Sequence, residues 1–177
     1  MSAGARASAC GLDLLAELLR EDGGLVAELV EGPGASGSPS PAVVAANGPR
    51  TRSRSDEYEL LVEAIYEGYL LHYGQPRVVR CEDPDLGLLV GDRLYALGLA
   101  RLVEIGDTFA VAELADTISL SALAQGAGDP ELALEVWAAG ARAVGWGPSP
   151  GHDHAKSLVL TGSQDAIEAM RTIARSV

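Results

Sequence analysis

Val62–Leu102 reads VEAIYEGYLLHYGQPRVVRCEDPDLGLLVGDRLYALGLARL, two helical segments on either side of a Gly-x-Pro turn. In the first, Tyr58, Leu61, Val62, Ile65 and Tyr69 recur at helical spacing until Gly74 and Pro76 stop the pattern. In the second, Asp83-Pro84-Asp85 opens a helix, with Pro84 suited to the first helical position. Its apolar face continues through Leu86, Leu89, Val90, Leu94, Leu97 and Leu102. Gly87, Gly91 and Gly98 inside it each cost about 1 kcal/mol relative to Ala, which predicts a neighbouring helix packed very close.

Downstream, Gly106-Asp107 ends that helix and starts one through Ala124 carrying Val111, Leu114, Ile118 and Leu123. Gly128-Asp129-Pro130 repeats the device: Asp129 caps, Pro130 enters the first turn, and the helix runs to Gly145. Residues 147–162 read as a loop, and Ser163 can cap a last helix over 163–177. Upstream, Ser55 can cap the first helix, with Asp56, Glu57 and Glu59 where the helix dipole favours negative charge. Residues 32–54, rich in Gly, Pro, Ser and Ala and ending in the basic run Arg50–Arg54, read as a linker without a core face. Residues 1–31 read as a detachable helical arm, interrupted at Asp22-Gly23-Gly24.

The 177 residues suffice for one domain with a core and are too few for two. Hydrophobic content is 47% but aromatic content only 5%, so the apolar mass is Ala, Leu and Val. That mixture favours close-packed helices, and the expected fold class is all-α. A net charge of −12 repels phosphate backbones and argues against nucleic acid. No apolar run reaches the roughly 18–20 residues of a membrane span, because Asp92, Arg93, Arg101 and Glu104 interrupt the best candidate. Asp13 and Glu17 fall where a signal peptide would be uncharged, so a cytoplasmic location is expected. Cys10 and Cys81 have no C-x-x-C spacing and read as bystander thiols.

Glu63-Ala64-Ile65-Tyr66-Glu67 and His72-Tyr73-Gly74-Gln75-Pro76 map without gaps onto the Asp-Asp-x-x-Asp and Arg-Arg-Gly-x-Pro motif of the trans-polyprenyl diphosphate synthases, and the chain resembles that family. Leu88–Leu97 is similar to the family's Ala-Gly-Asp-x-Leu helix lining the prenyl cavity, here with Gly91, Asp92 and Tyr95 as cavity or packing residues. Glu135–Gly145 is similar to the helix leading into the second aspartate cluster. The resemblance covers about half the chain, Ser55 to Trp146, and implies an antiparallel helical bundle of truncated isoprenoid-synthase build with residues 55–146 as its core. Such an enzyme holds Mg²⁺ between two carboxylate clusters to stabilise a departing diphosphate. Here Ala64 removes the middle carboxylate, His72 and Tyr73 replace the paired arginines, and Trp146–His154 stands where the second cluster belongs.

Two readings follow from that pattern. One is a noncatalytic binding or regulatory subunit of isoprenoid or quinone metabolism, with no cofactor, pairing with a second copy or another protein, and with an isoprenoid among the ligands this reading allows. The other is a minimal Mg²⁺-dependent prenyltransferase, with Glu63 and Glu67 on the metal and Arg77 and Arg80 on the diphosphate. A helical interaction module unrelated to isoprenoids is a third. Each candidate residue also has a plainer reading. Glu63 and Glu67 would be a solvated acidic face, Asp92 a buried group fixing helix packing beside Arg93 or Arg101, and His152-Asp153-His154 an exposed loop rather than a metal site. Arg50–Arg54 would meet anionic lipid, stay solvated, or pair with the chain's own acidic helices.

Overall fold

The computed structural model of the chain describes residues 10–32 and 40–176. Among them the order is α1 (Gly11–Asp22), α2 (Gly24–Glu28), α3 (Pro41–Ala46), a 3-10 turn at Arg52–Arg54, α4 (Ser55–Tyr73), α5 (Pro84–Glu104), α6 (Thr108–Gly126), α7 (Pro130–Trp146), α8 (Pro150–Leu160) and α9 (Ala166–Arg175). The described residues are all-helical apart from one isolated antiparallel bridge between Val30 and Val79. No helix among them is long and apolar enough to cross a membrane.

Short connections make sequence neighbours into packing neighbours. Asp83 accepts the N–H groups of Asp85 and Leu86 at the start of α5, Asp107 that of Ala110 in α6, and Asp129 that of Leu132 in α7. Ser55 instead lies inside α4, with Arg54 at the cap position and no side-chain capping bond. Gly23, at φ 72°, turns α1 into α2, a left-handed conformation that glycine adopts without penalty.

Residues 32–54 carry a core element rather than only a linker. Ser40 caps α3, Pro41 takes its first position, and Ala42, Ala45 and Ala46 are buried between α4 and α7. A helix built of small residues has weak sequence contrast, yet small residues are what let it lie between two larger helices. The approach is closest at Gly48 and Gly145, whose backbones touch, so a Cβ on Gly48 would collide with the Gly145 carbonyl group. Thr51 Oγ1 donates to the carbonyl of Ala45 at 2.5 Å, and Arg50 N donates to that of Gly145 at 3.0 Å. Residues 33–39 of the expected linker, and 1–9 of the expected arm, lie outside the described residues.

The rest of the arm is seated on the bundle. Leu12, Leu15, Ala16 and Leu19 are buried with Ala64 of α4 and Val90 and Leu94 of α5. Gly11 N donates to Glu59 Oε1 at 2.8 Å. The main core runs through Leu61, Val62 and Ile65 of α4, Leu102 of α5, Leu114 of α6 and Trp137 of α7. Of the expected loop 147–162, residues 150–160 form α8, whose Ala155 and Val159 pack against Met170 of α9. Ser163 does not cap α9; its hydroxyl accepts from Asp165 N at 3.2 Å in the turn before that helix.

Candidate functional site

Glu63 and Glu67 lie one turn apart on α4, and Arg77 reaches both from the segment after the Gly74–Pro76 turn. Arg77 Nη2 donates to Glu63 Oε2 at 2.5 Å, and its Nε lies 3.5 Å from Glu67 Oε2. The guanidinium sits 5.0 Å from the centre of the Tyr66 ring. Glu67 Oε1 accepts three backbone N–H groups, from Arg77 at 2.7 Å, Val78 at 2.7 Å and Val79 at 3.1 Å.

Those three amides are available because residues 77–79 are not helical: Arg77 and Val78 lie in a bend and Val79 in the isolated bridge to Val30. The residues just after α2 hold the same segment: Glu31 N donates to the Val78 carbonyl at 3.1 Å and Arg80 N to that of Leu29 at 2.9 Å. Glu67 therefore fixes the register of a short segment that the N-terminal arm pairs with.

The acidic-face reading of Glu63 and Glu67 is corrected here, since the two residues are only 1% and 0% exposed. Burial raises the Glu63 carboxyl above the usual carboxylate range, opposed by Arg77 and by the Ser40 hydroxyl. Two carboxylates can sit in this interior because one guanidinium and three amides face them.

A Mg²⁺ ion requires about six oxygen ligands at about 2.1 Å. In this cluster Glu67 Oε1 is committed to three amides, and the Arg77 guanidinium stands between the two carboxylates where a bridging cation would lie. The residues present do not fit a metal–diphosphate clamp: Arg77, expected on the diphosphate, neutralises the carboxylates expected on the metal. No group of three or more His, Cys, Asp or Glu in metal-holding geometry occurs among the described residues. Arg80 is not part of the cluster; its Nε pairs with Glu31 Oε2 at 2.9 Å on the surface.

Gly91, Asp92 and Tyr95 form a separate junction between α4 and α5. A Cβ on Gly91 would stand 3.0 Å from the Gly68 carbonyl oxygen and 2.6 Å from His72 Cδ2, so the two backbones cross where neither helix has a side chain. The Tyr95 ring stacks on His72 with centroids 5.4 Å apart, and burial pushes its hydroxyl pKa up. Asp92 is exposed rather than a buried packing group; its Oδ1 lies 3.2 Å from His72 Nε2, and neither Arg93 nor Arg101 is its partner. Gly98 also meets α4, at Ile65 and the Leu61 carbonyl, whereas Gly87 meets only Cys81 Cβ at 3.7 Å.

Sequence reasoning missed a second buried polar cluster, between α6 and α8. His152, 3% exposed, has Nδ1 at 3.6 Å from Glu113 Oε2, and Lys156 Nζ lies 2.8 Å from the same oxygen and 2.9 Å from Asp116 Oδ2. His154 is exposed on the opposite side of α8, so the two imidazoles do not converge. The signal was present: Ser149-Pro150 is a helix start, and His152, Ala155, Lys156 and Val159 follow at helical spacing. The basic run pairs internally, Arg50 with Asp107 at 3.1 Å and Arg54 with Glu57 at 2.6 Å.

Compared with family models, with curated proteins and with solved structures, the chain has no match.

Proposed function

We propose that the chain is a noncatalytic helical subunit, built like a shortened polyprenyl synthase, that works by binding a second copy or another protein. The observation carrying this reading is the closure of Glu63, Glu67 and Arg77 on one another. Ionising an allylic diphosphate needs carboxylates turned toward metal ions and cations turned toward the leaving group. In this chain Glu63 and Glu67 face Arg77, Glu67 also holds the amides of residues 77–79, and Arg80 pairs with Glu31. A binding role needs only a stable surface, and exposed Leu88 and Leu89 on α5, with Leu25 on α2, supply apolar area of the kind such contacts use.

The experiment is incubation with Mg²⁺ and labelled allylic and isopentenyl diphosphates, alongside light scattering of the purified chain. We expect no condensed product and a mass above that of one chain. Product that disappears in Glu63→Gln would overturn the reading in favour of a minimal prenyltransferase. A stable monomer over the accessible concentration range would count against self-association and leave a different protein as the partner to be isolated.

A further inference from the structure

A cavity of about 380 Å³ opens where the end of α7, the start of α8 and the end of α9 meet. Arg142, Trp146, Ser149, His152 and Ile173 line it. From this arrangement we infer that the cavity is a binding site for a small organic monocarboxylate with a flat apolar body, independent of the Glu63–Glu67–Arg77 cluster and of the subunit role proposed above.

The carboxylate end is argued from polar groups that have no hydrogen-bonding or charged partner for part of their capacity among the described residues. Arg142 has no carboxylate partner among the described residues, whereas Arg50, Arg77, Arg80, Arg93 and Arg171 all do. Its Nε donates to the Ser176 carbonyl at 2.5 Å, and its guanidinium lies 4.0 Å over the Trp146 ring, which fixes the group in place. The terminal nitrogens make no hydrogen bond among the described residues and form the fork that recognises a carboxylate. Burial lowers the Arg142 pKa with nothing opposing it. His152 is 97% removed from solvent by its 3% exposure, yet its ring makes no hydrogen bond among the described residues; the nearest carboxylate oxygen, Glu113 Oε2, is beyond hydrogen-bond reach at 3.6 Å. The Ser149 hydroxyl makes no capping bond although it occupies the cap position of α8. An arginine, an imidazole, a hydroxyl and the positive end of an eleven-residue helix thus face one space.

The charge and shape of the ligand follow from what surrounds those groups. One arginine balances one negative charge, while Asp153 in the first turn of α8 and a net charge of −12 oppose a second. Trp146, 38% exposed at the rim, and Ile173 offer a flat and an aliphatic wall for an apolar body. The volume is at the small end of ligand pockets, which suits a ring-sized molecule.

The test is a nuclear magnetic resonance titration of the full ¹⁵N-labelled chain with benzoate near neutral pH, with benzamide and inorganic phosphate as parallel arms. Benzoate should give saturable shifts at Gly151, His152 and the Trp146 indole, and benzamide, the same shape without charge, should bind far more weakly. Arg142→Gln should weaken benzoate by roughly tenfold or more, the size of a lost charge-assisted pair. Arg142→Lys, which keeps charge but not the fork, should fall between, and serves if the glutamine variant does not fold. Absence of saturable shifts, equal binding of benzamide, or undiminished binding in both Arg142 variants would overturn the assignment. Phosphate binding more tightly than benzoate would overturn the monocarboxylate.

Discussion

Glu67 and Arg77 meet at both oxygens of one carboxylate: Oε1 accepts the Arg77 backbone N–H at 2.7 Å, and Oε2 lies 3.5 Å from the Arg77 Nε. Arg77 thus provides an amide and a charge to a residue ten positions earlier, and with Glu63 Oε2 also at 2.5 Å the side chain serves two acids at once. The unequal sharing, two carboxylates to one guanidinium, sets what substitutions do.

Arg77→Met leaves two buried carboxylates without a counter-charge and should destabilise the fold by about 3–5 kcal/mol. Glu67→Gln removes one charge but retains a carbonyl oxygen for the amides of residues 77–79, and should cost less. Urea unfolding of the two variants checks the order; a smaller loss in Arg77→Met than in Glu67→Gln would mean that charge is not what holds the cluster.

Gly91→Ala and Gly87→Ala should have opposite effects although both glycines lie in α5. At Gly91 a Cβ would press on the Gly68 carbonyl at 3.0 Å, a backbone atom that cannot move aside, and overpacking of this kind costs about 1–3 kcal/mol. At Gly87 the nearest neighbour is Cys81 Cβ at 3.7 Å, so the gain in helix propensity, about 0.5–1 kcal/mol, should prevail. Thermal melts of the pair would decide it.

Tyr58 donates to Asp107 Oδ2 at 2.6 Å, and the same carboxylate binds Arg50 and caps α6. Burial, then the Asp107 contact, pushes the Tyr58 hydroxyl from 10.0 up to about 12. The folded state therefore keeps a proton that the unfolded chain releases, so this contribution is complete below pH 10.0 and is lost as pH rises toward about 12. For Asp107, burial raises the pKa, but Tyr58, the Ala110 amide and Arg50 together hold it below 3.8, and its contribution is lost in acid. Tyr58→Phe should cost about 1.5 kcal/mol near neutral pH and flatten the alkaline limb of the stability profile.

His152 should give the chain an acid-sensitive joint between α6 and α8. Burial holds the imidazole below its usual 6.5, with Lys156 acting in the same direction and Glu113, Asp153 and Asp116 opposing. Just below pH 6.5 the unfolded chain takes up a proton that the folded chain refuses, so stability falls as pH drops through that window. His152→Gln should flatten this part of the profile, measured as urea midpoints across the window; an unchanged slope would place the acid sensitivity elsewhere.

Much of the architecture was legible in local chemistry. Asp83, Asp107 and Asp129 marked helix starts because a capping carboxylate acts within a few residues, and Gly91 and Gly98 announced a close helix contact because glycine inside a helix has a cost that packing must offset. The internal pairing of Arg50 and Arg54 was one of the open readings. The buried role of α3 was not legible, since Pro41–Ala46 resembles a linker until two larger helices close on its alanines.

Composition and capping chemistry determined by themselves that this protein is helical and where α5, α6 and α7 begin, because those effects operate within a turn or two of chain. What the carboxylates of Glu63 and Glu67 do was decided only in three dimensions. A glutamate at a helical repeat has the same sequence whether it faces water, a metal or an arginine. The Gly74–Pro76 turn brings Arg77 and the amides of residues 77–79 onto it, and that long-range encounter turns a resemblance to a metal-binding motif into a buried structural clamp.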